Sequence, residues 1–285
     1  MAFYLVSMLP VIGIIRVGPQ SLSDHHLYVP AIGIFVLVVW GISDLLSGAL
    51  LRSEVAVTLG ALVIISYAIA TASYLPSWGN SFTLFSRAER LSPSANDLIE
   101  NNLGQGLTEP GKATEAIPHY RLAIYLAPGM PLPHCSLGNA LVATGDPNGA
   151  VAEFQLALDR SPSGRLKAQC LNNLGVAQLI LRRADLAERS FAMALQTAPS
   201  DQHSLAGRGA AWFQLGKLNE AEEDLRRSLA IGPDPLAYYW LGKTLTAKNE
   251  REGAIMAFKS ALAIAPGQTA SQIELDKLTQ GEALP

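Results

Sequence analysis

Apolar positions follow two different patterns along the chain. Residues 1–75 contain only five Asp, Glu, Lys or Arg residues, and their apolar residues form long runs. Segment 55–75 is an uncharged run of 21 residues, and segment 29–51 has 23 residues with Asp44 as its one charge. At about 1.5 Å of helix rise per residue, each is long enough to cross a hydrocarbon core of about 30 Å. The pattern therefore predicts two transmembrane helices, at 29–51 and 55–75.

The first apolar segment, 2–15, is shorter and is interrupted by Pro10. A third span, a partial span and a re-entrant segment all fit it. A secretory signal peptide is disfavoured, because no basic residue precedes the run and further apolar segments follow it. Buried helices of a globular domain are disfavoured as well, because runs above about 18 apolar residues are typical of membrane spans. Residues 1–77 are therefore expected to form a membrane domain.

The second half of the chain repeats with a basic period of 34 residues. Each of five copies has a glycine, then an aromatic residue or leucine 16 positions later, and a proline 24 positions after the glycine. The glycines are Gly104, Gly138, Gly175, Gly209 and Gly242, the second positions are Tyr120, Phe154, Phe191, Leu225 and Phe258, and the prolines are Pro128, Pro162, Pro199, Pro233 and Pro266. Glycine lets two helices approach closely, the ring fills the space between them, and proline ends the second helix. Each copy is therefore predicted to be a helix, a turn and a helix.

This spacing resembles the tetratricopeptide repeat, which implies an α-helical solenoid. The resemblance implies five full repeats, preceded by a half repeat at 78–96 and followed by a capping helix and tail at 269–285. The full repeats are expected at 97–130, 131–164, 168–201, 202–234 and 235–268. Three extra residues, 165–167, separate the second and third repeats. The expected fold is all-α, with two or three N-terminal transmembrane helices before the solenoid.

A solenoid of this kind binds ligands on the concave face lined by the first helix of each repeat. Asn102 and Asn173 precede the Leu-Gly pair of their repeats, and Asn139 follows a repeat glycine. A side-chain amide donates and accepts hydrogen bonds at once, which suits the backbone of an extended peptide. We therefore expect these three asparagines to bind a protein or peptide ligand. The alternative is that they only hydrogen-bond one turn of the solenoid to the next.

An acid, two imidazoles and a phenol lie close together at Asp24, His25, His26 and Tyr28. The stretch resembles the motif A-D-R-Y-x-Y-x-P-x-x-G of GT-C-type glycosyltransferases with C-terminal tetratricopeptide repeats, the transmembrane and tetratricopeptide-repeat O-mannosyltransferases. Asp24 and Tyr28 match the motif, whereas His25 replaces the arginine that would grip a phosphate. The resemblance implies a vestigial site for a head group or lipid-linked sugar. The alternative is an interfacial cap, with Asp24 capping a helix and Tyr28 anchored at the head groups.

The acidic catalytic residues of that family belong to an early membrane loop with no counterpart in this chain. No phosphate loop, dinucleotide glycine motif, HExxH motif or nucleophile elbow occurs either. We therefore expect no catalytic residue, no cofactor, no metal and no enzyme activity of the chain on its own. The net charge of −3 and the lack of a basic block disfavour nucleic acid as a partner. Cys135 and Cys170 fall at different repeat positions, so burial is expected for both rather than a disulfide or metal site.

Arg52 lies in the short turn between the two long apolar segments, and the positive-inside rule favours a cytoplasmic location for that turn. The chain is then expected to be integral to a bacterial inner membrane, with its repeats on the non-cytoplasmic, periplasmic side. The preferred function is a membrane-anchored scaffold that binds a polypeptide. The alternative is the non-catalytic part of a protein O-glycosyltransferase, which presents acceptor protein to a multi-spanning catalytic partner encoded separately.

Overall fold

The computed structural model describes residues 79–92, 94–107 and 112–280, together with isolated positions between 58 and 76. The chain divides into two units, Met1–Pro76 and Ser77–Pro285. Twelve α-helices follow one another in the described part of the second unit. They are α1 Ser81–Leu91, α2 Asp97–Gly106, α3 Ala113–Leu126, α4 Pro131–Ala143, α5 Pro147–Asp159, α6 Gly164–Ile180, α7 Ala184–Thr197, α8 Gln202–Gln214, α9 Leu218–Ile231, α10 Pro235–Ala247, α11 Arg251–Ile264 and α12 Thr269–Gln280.

Helices α2 to α11 form five helix–turn–helix repeats, in which each helix packs against the next along the chain. The first helices of neighbouring repeats, α2, α4, α6, α8 and α10, also pack directly against one another. Their mutual contacts are more extensive than those between neighbouring second helices. The array therefore curves with the first helices on its concave face. This part of the expected fold, an all-α solenoid, is confirmed.

The close approach expected at the repeat glycines is present in all five repeats. A Cβ atom placed on each glycine would lie between 2.5 and 2.7 Å from a side-chain carbon of the residue 16 positions later. Phe154, Phe191 and Phe258, which occupy that later position, are fully buried. Each aromatic side chain on the second helix thus packs directly onto the bare backbone of the first, which holds the two helices of a repeat together.

Four of the five repeats carry a polar contact between their helices, made by the side chain 15 positions after the glycine. The contacts join His119 to Glu100 at 2.8 Å, His134 to Glu153 at 2.7 Å, Ser190 to Gln178 at 2.7 Å, and Arg208 to Asp224 at 2.6 and 2.9 Å. In the fifth repeat Ala257 occupies the position. The hydrogen bond to Asp224 raises the pKa of the Arg208 guanidinium. These pairs satisfy polar groups that would otherwise be costly to bury.

The C-terminal end of the solenoid is closed by α12, as the sequence predicts. This helix packs against α11 and buries Ser271, Leu275 and Leu278. Its remaining surface carries Gln272, Lys277 and other polar side chains in solvent. Polar caps of this kind end the core of a repeat array in water.

The expectation of two or three N-terminal transmembrane helices, and with it an integral membrane location, is wrong. Among the described residues no helix combines the length and the apolarity that a membrane crossing requires. The longest of them, α6, has 17 residues and carries Arg165 and Lys167 in its first turn. The segments predicted at 2–15 and 29–51 lie outside the described residues, and 55–75 is described only at isolated positions.

Candidate peptide-binding groove

The concave face of the first three repeats contains a cavity of about 1260 Å³, here called the groove cavity. It lies along α4 and α6 and extends to α2 and α3 on one side and to the connection between α7 and α8 on the other. Small and polar side chains dominate the part formed by the first helices. The amide and hydroxyl side chains among them are Gln105, Ser136, Asn139, Gln169, Asn172 and Asn173. The cavity therefore presents several hydrogen-bonding groups within a lining that is more apolar than polar.

Two of the three predicted asparagines, Asn139 and Asn173, meet in this cavity. Asn173 Nδ2 donates a hydrogen bond to Asn139 Oδ1 at 2.7 Å, which links α6 to α4. Asn172 Nδ2 donates to Asn173 Oδ1 at 3.3 Å, and Ser204 Oγ on α8 donates to Asn172 Oδ1 at 3.4 Å. The four side chains form a hydrogen-bonded chain across three neighbouring first helices, here called the amide chain. Hydrogen bonds arranged in this way polarise one another and strengthen the donor at the end.

The amide chain ends at Asn139, which is the exposed member. Its Oδ1 accepts from Asn173, and among the described residues nothing accepts a hydrogen bond from Asn139 Nδ2. A carboxamide nitrogen carries two N–H donors, so Asn139 offers donors to the cavity from a fixed position. The helix-to-helix bonding expected as the alternative role is present between Asn173 and Asn139.

The third predicted asparagine, Asn102, lies apart from this chain. Its Nδ2 donates to Leu98 O of its own helix at 2.8 Å, and it does not line the groove cavity. Sequence reasoning missed Asn172 and Ser204, because it considered only the positions next to the Leu-Gly pair. The structure therefore extends the amide chain toward α8 rather than toward α2.

The three extra residues between the second and third repeats, 165–167, form part of the first turn of α6. This helix has 17 residues, whereas α4, α8 and α10 have 13 each. The added turn brings Gly164, Arg165 and Leu166 to the cavity wall. Across the cavity, Asp201 Oδ2 accepts from Ser204 N at 2.8 Å and caps α8. The insertion therefore supplies part of the cavity wall.

The expectation that neither cysteine forms a disulfide is wrong. Cys135 on α4 and Cys170 on α6 are joined by a disulfide with their Cα atoms 5.8 Å apart, and both line the groove cavity. The physical reason lies in the packing between repeats. The residue three positions before one repeat glycine faces the residue five positions before the next, so different repeat positions come together. Both cysteines are also buried, as expected.

The concave face changes character in the fourth and fifth repeats. Phe213 on α8 and Trp240 on α10 have ring centroids 5.5 Å apart, and Tyr239 lies 5.3 Å from Trp240. Gly207 takes the register position of Asn173, and a side chain there would overlap Phe191. Aromatic packing thus replaces the amides beyond the start of α8.

The proposed head-group residues Asp24, His25, His26 and Tyr28 lie outside the described residues, so their role stays a prediction. Within the described part of the chain, no group of three His, Cys, Asp or Glu side chains is placed to hold a metal ion.

The profile of the family described as Tetratricopeptide repeat matches residues 135–202, 182–234 and 207–269. The chain carries tetratricopeptide repeats. These repeats form modules that bind proteins or peptides, and the fold is typically non-catalytic. The repeat array is similar to the crystal structure of YrrB, described as "a TPR protein with an unusual peptide-binding site". The TM-score is 0.51 and the identity 20%, over 66% of this chain and 96% of that one.

Two curated proteins are each similar to part of the chain, and the matched part is a minor share of each. Mouse "Protein O-mannosyl-transferase TMTC3" is 23% identical over 221 residues, which are 73% of this chain and 24% of that protein. Human "FK506-binding protein-like" is 34% identical over 123 residues, which are 41% of this chain and 35% of that protein. The chain therefore corresponds to about a quarter to a third of the relatives that it matches.

Proposed function

We propose that the chain binds an extended polypeptide segment in the groove cavity, with Asn139 and Asn173 hydrogen-bonding the peptide backbone. The observation that carries this proposal is the amide chain, which ends within the groove cavity at Asn139, whose side-chain N–H donors no described residue uses. The bound segment would follow the concave face across α4 and α6. Asn102 is proposed as a further contact for a ligand that extends to the first repeat.

The size and chemistry of the cavity favour a peptide over a small molecule. Sites for small ligands usually enclose about 300–1,000 Å³ and are lined mainly by apolar side chains. The groove cavity is larger, at about 1260 Å³, and carries amides and hydroxyls along its length. An extended backbone presents donors and acceptors at regular intervals, which amides can match for many sequences. The peptide-binding site described for YrrB, which has the same fold, supports this use of the groove.

The proposal is tested by selecting peptides from a random 12-residue display library on the immobilised chain. The dissociation constant of the best labelled peptide is then measured by fluorescence anisotropy. Asn139→Ala and Asn173→Ala should each weaken binding roughly five- to tenfold, because each removes hydrogen bonds worth about 1 kcal/mol. Asn219→Ala is the matched control, since Asn219 is an exposed asparagine near the start of the second helix α9. Equal affinity of all four proteins would contradict the assignment of the groove.

A second candidate function is the presentation of acceptor protein to a glycosyltransferase on another chain. The similarity to the mouse O-mannosyl-transferase over 221 residues favours it. In this candidate the solenoid holds the acceptor and performs no chemistry, so the chain alone is proposed to be inactive. Photo-crosslinking from position 169, beside the amides, would capture bound polypeptides for mass spectrometry. Captured segments that carry O-linked mannose would support acceptor presentation, and unmodified segments without Ser or Thr would count against it.

Activity of the chain itself is tested separately. The purified chain is incubated with a lipid-linked mannose donor and with a selected peptide that contains Ser and Thr. We expect no mass increase of the peptide. A gain of one hexose would show that the chain contains a catalytic centre and would refute the proposed non-catalytic role.

A further inference from the structure

The disulfide and the amide pair cross the same gap between α4 and α6. Cys135 and Asn139 are four residues apart on α4, and Cys170 and Asn173 are three residues apart on α6, so each pair lies on one helix face. The disulfide joins the two cysteines, and the hydrogen bond of 2.7 Å joins the two asparagines about one turn further along. The distance between the peptide-binding amides therefore depends on the covalent link beside them.

The equivalent contacts in the other repeats show what the disulfide replaces. Between the third and fourth repeats, the positions of Cys135 and Cys170 are taken by Asn172 and Ser204, which share a hydrogen bond of 3.4 Å. Between the fourth and fifth repeats they are taken by Ala206 and Ala237, which belong to one buried cluster. These neighbours are held by weak contacts between small side chains. Only the link between the second and third repeats is covalent, and it uses both cysteines of the chain. It also lies where the groove cavity is centred.

We propose that the Cys135–Cys170 disulfide is a redox control on the groove. With the bond intact, α4 and α6 are held at the spacing that aligns Asn139 with Asn173, and the groove binds peptide. When the bond is reduced, the two repeats are free to move apart and the aligned amides are lost. This inference rests on the proposed peptide binding, because it concerns the regulation of the same site.

The chemistry is a two-electron exchange with a dithiol. A thiolate of the reductant attacks one sulfur of the disulfide from the cavity and displaces the other as a thiolate. The second thiol of the reductant then attacks the mixed disulfide and leaves as a cyclic disulfide. Cys135 and Cys170 take up two protons and become thiols. Because both cysteines line the groove cavity, a bound peptide covers the approach of the reductant.

Linkage requires the effect to be reciprocal. If the oxidised chain binds peptide more tightly, bound peptide must make the disulfide harder to reduce by the same factor. The equilibrium between dithiol and disulfide forms in dithiothreitol buffers should therefore shift toward the disulfide when the peptide is added. A disulfide with only a structural role elsewhere in the fold would not respond to a ligand of the groove.

The test compares the affinity of the full chain for the library-selected 12-residue peptide before and after reduction by dithiothreitol. Mass spectrometry after maleimide labelling confirms the number of free thiols, and circular dichroism confirms that both forms are folded. Reduction should weaken binding roughly five- to tenfold, within the usual range of coupling between sites. The control is Cys135→Ala/Cys170→Ala. This variant has the same alanine pair that the chain itself has at the corresponding positions, Ala206 and Ala237, between the fourth and fifth repeats. This variant should bind like the reduced chain and ignore the reductant.

The outcomes separate this inference from the proposed function. Equal affinity of the oxidised and reduced chains would overturn redox control while peptide binding stands. Weaker binding of the reduced chain, with an unresponsive alanine variant, would support both. Failure of both the oxidised and the reduced chain to bind any selected peptide would overturn the proposed function and the redox control with it.

Discussion

Replacing Gly138 by leucine probes the contact that holds a repeat together. A Cβ atom at Gly138 would lie 2.6, 2.8 and 2.9 Å from three ring carbons of Phe154. Unstrained carbon atoms approach to about 3.5–4.0 Å, so each contact is too short by more than about 0.5 Å. Phe154 is fully buried against Ala150 and Ala157, and its ring has no open space to enter. The helices α4 and α5 must therefore separate.

The expected cost follows from two opposing effects. Overpacking of a dense core costs about 1–3 kcal/mol, and the full side chain of leucine favours the upper end. Leucine in place of glycine also improves helix propensity by about 0.8 kcal/mol. The free energy of unfolding should therefore fall by about 2 kcal/mol. For a unit of this size, that lowers the melting temperature by roughly 4–8 °C.

The assay is urea unfolding followed by circular dichroism at 222 nm, combined with hydrogen exchange of the amides in α4 and α5. Gly129→Leu is the matched control, since a Cβ atom at Gly129 meets nothing within 4 Å. Exchange should accelerate in α4 and α5 of Gly138→Leu and stay unchanged in the control. Equal stability of the two variants would refute the argument that the bare glycine backbone is required by the aromatic ring.

Three further substitutions test other contacts by the same unfolding measurement. Burial raises the pKa of Tyr120 from 10.0 to about 12. The stability contributed by the neutral phenol is therefore complete below pH 10, and it falls as the pH rises toward 12, by at most about 1.4 kcal/mol per pH unit. Tyr120→Phe should remove this pH dependence of the free energy of unfolding, and an unchanged dependence would contradict the raised pKa. Under oxidising conditions Cys135→Ala/Cys170→Ala should cost up to about 4 kcal/mol, because the bond closes a loop of 35 residues; a loss below about 1 kcal/mol would show that the loop entropy is offset elsewhere. Asp224→Asn should cost about 2 kcal/mol by leaving the half-buried Arg208 without its carboxylate, whereas a neutral result would mean that solvent already screens this pair.

The packing of the glycine against the residue 16 positions later in each repeat could be predicted from the sequence, and the contacts between repeats could not. The packing of Phe154 on Gly138 follows from residue types at a fixed spacing inside one helix pair. The disulfide and the chain from Ser204 to Asn139 cross from one repeat to the next. Which positions meet there depends on how neighbouring repeats are rotated and shifted, and this is a property of the stacked array.

The membrane expectation, which was wrong, rested on apolar composition alone. A membrane span also requires an uninterrupted helix of about 18 residues or more. No helix of the described residues meets both conditions.

The sequence shows that Arg208 departs from the repeat pattern. The reason is visible only in the structure, where Arg208 donates hydrogen bonds to Asp224, 16 residues later.

The covalent link between the second and third repeats also sets the order in which the solenoid comes apart. In an array whose units contact only their neighbours, an end repeat has one neighbour and frays more readily than a central one. Fraying can reach α4 and α6, but it cannot separate Cys135 from Cys170 until the disulfide is broken. The second and third repeats therefore stay covalently joined, and the fourth and fifth repeats can melt away from them. In an oxidised chain pulled from both ends, the segment between Cys135 and Cys170 should not extend until the bond is reduced.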